Sequence, residues 1–161
     1  MTSFLYQPYI KTMLAPGGGG HGSKSVDLTD TTTDVISLVL VDNAYADTNE
    51  ADDYYDDITG TAIVSGSATA ISTPTLTSGT SGVKWDAADF NSGGAGSLTG
   101  VGDGVDAVDV IVIWVNVSGG SSATDILVAY IDTGTGFGVI PNSSTVDIVW
   151  HADGIINFNY I

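Results

Sequence analysis

An all-β fold is predicted, an antiparallel β-sandwich or jelly-roll-like barrel of about seven to nine strands. Three observations predict it. Short runs rich in Val, Ile and Thr recur along the chain, several with alternating polarity. Twenty-one glycines separate these runs at turn-like intervals. Leu, Lys, Glu, Gln and Arg, which favour helices, are scarce. A chain of 161 residues suits one domain. At that size roughly 70% of the unfolded surface is buried, enough for a real core.

Read in order, Met1–Leu14 (MTSFLYQPYIKTML) is apolar and aromatic and carries no acid. It is predicted as a short helix or an extended arm. Ala15–Ser25 (APGGGGHGSKS) reads as a flexible linker, because four consecutive glycines resist a fixed conformation. Residues 1–25 are therefore arm and linker, and residues 26–161 the β-sandwich body. Two places suit the arm: packed on its own body, or docked on a neighbouring subunit. Asp34–Val41 (DVISLVLV) has strand length and is apolar enough for burial on both faces. Asp42–Asp57 is a long acidic loop, with one helical turn expected within Asn49–Tyr55. Thr61–Thr77 suggests one or two strands, and Pro74 argues for a sheet edge. Gly82–Asp86 is a short strand entering a turn at Ala87–Phe90. Asn91–Gly104 reads as a glycine-rich loop. Ala107–Val117 (AVDVIVIWVNV) is the clearest strand, followed by Ile126–Asp132, Thr145–Trp150 and Ile155–Ile161.

Charge excludes several functions. Nineteen acids, all Asp except Glu50, stand against three lysines and no arginine, a formal net charge of -16. Such a chain is repelled by phosphate backbones and anionic bilayers, so neither nucleic acid nor membrane is an expected partner. No apolar run has the length of a membrane span, and Met1–Leu14 lacks the h-region of a secretory signal. With no cysteine there is no disulfide, thiolate zinc site or cysteine nucleophile.

Catalytic chemistry finds little support, and the chain is read as a non-enzyme. His21 lies in the glycine linker and His151 in a turn beside Asp153, so neither histidine is fixed as a base. Gly100–Gly104 and Gly134–Gly138 lack the Lys-Ser/Thr and the helix of a phosphate loop. No cofactor is expected. Calcium is the one ligand the composition favours, with candidate carboxylates Asp42, Asp47, Asp52, Asp53, Asp56 and Asp57. Their spacing fails the EF-hand pattern, because Ala51 stands at the third ligand position. A carbohydrate-binding module is a competing reading, with Trp85, Tyr54 and Tyr55 stacking on sugars.

Three stretches resemble a family of small tailed-phage virion proteins. They are VDLTDTTTDVISLVLVDNAYADTNEADDYYDDI, GVKWDAADF and ILVAYIDTGTGFGVIPNSSTVDIVWHADGII. The matching pieces are Asp34–Tyr45, Tyr54–Ile58, Trp85–Phe90 and Leu127–Ile155. The chain departs from the family's pattern in its four-glycine run and in its near absence of Lys and Arg. The resemblance implies a capsid decoration or cement protein on the outer surface of a virion, bound to the major capsid protein. It also implies a homo-oligomer, a trimer being suited to local three-fold axes. A tail, neck or fibre component is the structural alternative. On this reading the arm residues Phe4, Leu5, Tyr6, Tyr9, Ile10, Met13 and Leu14 are the expected capsid- and subunit-binding side chains.

Overall fold

A computed structural model describes residues 3–14, 26–45, 51–58, 60–79, 82–117 and 120–159. It is all-β, with ten strands in antiparallel sheets of five, three and two strands. The strands are β1 (Phe4–Leu5), β2 (Val35–Val41), β3 (Thr69–Ala70), β4 (Thr75–Gly79) and β5 (Gly82–Asp86). They continue as β6 (Leu98–Asp103), β7 (Val110–Asn116), β8 (Ile126–Ile131), β9 (Asn142–Val146) and β10 (Ile156–Asn159). A helix, α1 (Gln7–Leu14), follows β1, and a 3-10 turn covers Tyr55–Asp57.

The five-stranded sheet runs β1-β8-β7-β2-β3. Its centre is made by two of the most apolar runs of the sequence, β2 and β7. They pair antiparallel from Val35 opposite Asn116 to Val41 opposite Val110. Residues Val110–Val115 and Ile36–Val41 are buried without a gap. A strand with only one face covered would alternate, so both faces of this sheet centre are covered. At about 1.5–3 kcal/mol for each large side chain, these strands carry much of the gross apolar gain.

The three-stranded sheet runs β10-β5-β4. Trp85 on β5 is fully buried between Ile156 and Leu76, its cross-strand neighbours. Its indole N–H donates to the Leu28 carbonyl at 2.8 Å, so the ring is oriented as well as packed. β4 is an edge strand and begins directly after Pro74, the place where a missing N–H costs nothing. The third sheet is a two-stranded ribbon of β6 and β9, with a bulge between Leu98 and Val101.

Two sequence expectations shift. The glycine-rich stretch Asn91–Gly104, read as a loop, contains β6. Gly100 and Gly102 sit at φ +70 and +77, so they bend the strand without ending it. The strand expected at Thr145–Trp150 lies about three residues earlier, as β9. Ile148 instead exchanges hydrogen bonds with Phe90 as an isolated bridge.

Trp85→Ala should cost about 3–5 kcal/mol in urea unfolding. Leu76→Ala, opposite it on the exposed edge, should cost less than about 0.5 kcal/mol. Equal effects would contradict the placement of the three-stranded sheet.

Candidate interaction surface

The N-terminal segment is built into the body. β1 pairs with the outer side of β8, Phe4 opposite Tyr130 and Leu5 opposite Ala129. Tyr6 N–H then donates to the Val128 carbonyl at 3.1 Å. α1 starts at once, with Pro8 in its first turn, where the lost N–H has no intrahelical partner anyway. The Phe4 ring stacks on Tyr130 at 4.7 Å and meets the edge of Tyr6 at 5.3 Å. Tyr9 is also buried.

A chain of hydroxyls runs through this cluster. Tyr45 OH donates to Asp52 Oδ2 at 2.9 Å, which leaves its oxygen to accept from Tyr6 OH at 2.9 Å. Burial, then Tyr45, the Asp52 carboxylate and Tyr130, push the Tyr6 hydroxyl far above its ordinary range. Burial raises Tyr45 and Tyr9 as well. All three stay neutral. Desolvation also raises Asp52, an effect its bond from Tyr45 opposes and nearby Asp57 reinforces.

The seven arm residues therefore divide. Tyr6 and Tyr9 are core residues, and Phe4, Leu5 and Ile10 are half-buried. Only Met13 and Leu14 are exposed, at 39% and 79%. Of the two placements open to the arm, the described residues take the first, on their own body. Residues 3–14 share a sheet and a core with residues 26–159, so they do not stand apart as a separate arm. The linker residues 15–25 lie outside the described residues.

Three of the candidate calcium carboxylates, Asp42, Asp52 and Asp57, hold donors of the protein itself. Asp42 Oδ1 accepts Ala44 N–H at 2.8 Å. Asp57 Oδ2 accepts the N–H groups of Asp53 and Tyr54, both at 3.0 Å, and so closes the 3-10 turn. Asp52 holds Tyr45, Asp53 is half-buried and Asp56 points to water. Asp47 lies outside the described residues. Among the described residues no group of three or more acids or histidines could hold a metal ion.

The residues proposed for sugar stacking are not assembled either. Trp85 is fully buried, and Tyr55 packs against Trp114 at 4.4 Å. A third tryptophan lines an open groove of about 630 Å³ with Asp86, Asp89, Asn91 and His151. That groove's polar groups hold its own walls together. Asp89 Oδ1 accepts Trp150 N–H at 2.8 Å, Trp150 Nε1 donates to the Ala88 carbonyl, and Lys84 pairs with Asp86 at 3.0 Å. His151 is exposed, 3.4 Å from Asp153, in a turn without a nucleophile beside it. Sequence reading missed another feature, the exposed apolar side chains Val105, Val139 and Ile140. They are a single valine and a Val-Ile pair inside glycine-rich stretches, so no periodic pattern marks them.

No family model, curated protein or solved structure matches the chain.

Two measurements check the N-terminal segment and its relay. Deleting the first fourteen residues should cost at least about 3 kcal/mol, since two buried tyrosines contribute about 1.5–3 kcal/mol each. An unchanged unfolding midpoint would show that the segment is not docked. The raised Asp52 group favours the fold below its unfolded pKa, and that contribution is lost as pH rises through the folded value. Asn keeps an acceptor for Tyr45 but does not titrate. Asp52→Asn should therefore be at least as stable as wild type near pH 7, the difference shrinking toward about pH 4.

Proposed function

We propose that this chain is a non-enzymatic virion structural protein that decorates and stabilises the outer surface of a tailed-phage capsid. The supporting observation is a net charge of -16 on an all-β body. Packaged DNA repels such a body, so its place in a particle is outside the shell. The resemblance of residues 26–161 to small tailed-phage virion proteins points the same way. The major capsid protein is the proposed partner. Several copies gathered at local symmetry axes would hold by multivalency even where each single contact is weak.

The test is stoichiometry in purified particles. Quantitative mass spectrometry of intact virions should find the chain in numbers comparable with capsid subunits. A map of the particle should place it on the outer face. A handful of copies would move it to the tail or neck, and its absence from virions would end the proposal.

A further inference from the structure

Val105, Val139 and Ile140 are 73%, 48% and 54% exposed. They stand on two loops far apart in sequence that the fold joins into one tip. β6 and β9 end side by side, with Asp103 opposite Asn142. Beyond them, Gly104 N–H donates to the Pro141 carbonyl at 2.9 Å. Val108 N–H donates to the Val139 carbonyl at 2.8 Å, and Gly138 N–H returns to the Val108 carbonyl at 2.7 Å. Val105 N–H is held by Asp103 Oδ1 at 3.0 Å. Gly102 makes the approach of the loops possible: a Cβ there would lie 2.2 Å from the Pro141 carbonyl oxygen.

The tip is braced by its backbone, and its three apolar side chains lie outside the core cluster. Single exposed apolar residues are ordinary, but three on one braced tip mark a contact surface. Val and Ile have few rotamers to lose, and a pinned backbone needs no ordering, so burying them costs little entropy. The sequence points to the N-terminal segment for this role, yet its aromatic rings are committed inside the body.

Charge selects the partner. Asp103, Asp106 and Asp109 flank the tip, and none of the three lysines lies on these loops. A second copy would bring the same acids face to face, an arrangement that like charges oppose. We propose that the Val105–Val139–Ile140 tip docks into a basic protein surface, an apolar socket rimmed by Lys and Arg. This rests on the coat-protein reading in placing that socket on the capsid shell.

The experiment uses full-length protein and shells stripped of it. Val105→Asp/Ile140→Asp places two carboxylates at the tip, and Thr31→Asp/Ser92→Asp adds the same charge at exposed sites elsewhere. Val105→Ser/Ile140→Ser removes apolar surface without charge and keeps the test open if the first pair disturbs folding. Wild type and the Thr31/Ser92 variant should coat shells. Both tip variants should bind about tenfold more weakly or worse, and wild-type binding should fall as salt rises. Tip variants that coat shells as well as wild type overturn the tip assignment while leaving the coat reading intact. Wild-type binding indifferent to salt overturns the basic socket. Wild type that fails to bind shells at all overturns the coat reading, and this inference falls with it.

Discussion

Charge without countercharge is the constraint under which this chain folds. Nineteen acids face three lysines. Among the described residues, Lys84 with Asp86 is the one pairing of a lysine with an acid. Several of the remaining carboxylates take backbone N–H groups as their donors. Asp30 gathers the N–H groups of Thr32 and Thr33 and both threonine hydroxyls. Those bonds, the Thr33 hydroxyl foremost, hold its carboxyl well below the usual range. Asp42, Asp57, Asp89, Asp103 and Asp125 each take at least one backbone N–H. Asp suits the local part of this role, seen at Asp30, Asp42 and Asp103. A carboxylate one methylene from Cα reaches N–H groups two or three residues on, and Glu reaches past them. The charge thus accompanies a turn-rich all-β fold, because its carriers fasten the turns.

The same economy shapes the aromatic cluster. β8 would be an open edge of the main sheet, inviting another strand. β1 covers part of it with two residues, which form too short a ladder to hold by hydrogen bonds alone. The side chains supply the rest: Phe4 on Tyr130, Tyr9 beneath the helix, and the Tyr6–Tyr45–Asp52 relay. The relay ties the acid-free start of the chain to its most acidic stretch. The Tyr6 and Tyr45 hydroxyls are both satisfied, so they escape the penalty of an unpaired polar group. Trp114 shows the contrast, for its buried indole N–H has no partner among the described residues.

How much the sequence reveals depends on where each element gets its stability. β2, β7 and β8 are legible because their own side chains decide burial, in apolar runs of strand length. Pro74 marks an edge for an equally local reason. β6 is hidden because its pairing comes from β9 while its glycines advertise a loop. The exposed tip is hidden for the same reason, since backbone bonds between distant loops create it. Met1–Leu14 is legible as sticky but not as buried: composition reports affinity for apolar surroundings and leaves open whose they are. The acidic stretch misleads differently. Clustered Asp has the composition of a cation site, and only geometry shows Asp42 and Asp57 turned back on their own backbone.

An anionic body with one braced apolar tip has a consequence for crowding. A domain of 161 residues has a radius of gyration of about 15 Å, whereas charges are screened over about 8 Å at physiological salt. Copies whose surface charges stay further apart than that feel little of each other's charge. Copies whose tips meet bring Asp103 and Asp106 within that range, and their tips are kept apart. Repulsion thus acts against self-association at the tip without preventing dense occupation of a surface. A basic socket removes the penalty locally, by placing positive charge beside Asp103 and Asp106. On the proposed docking, the charge sets which encounters become contacts, and the apolar tip sets how long they last.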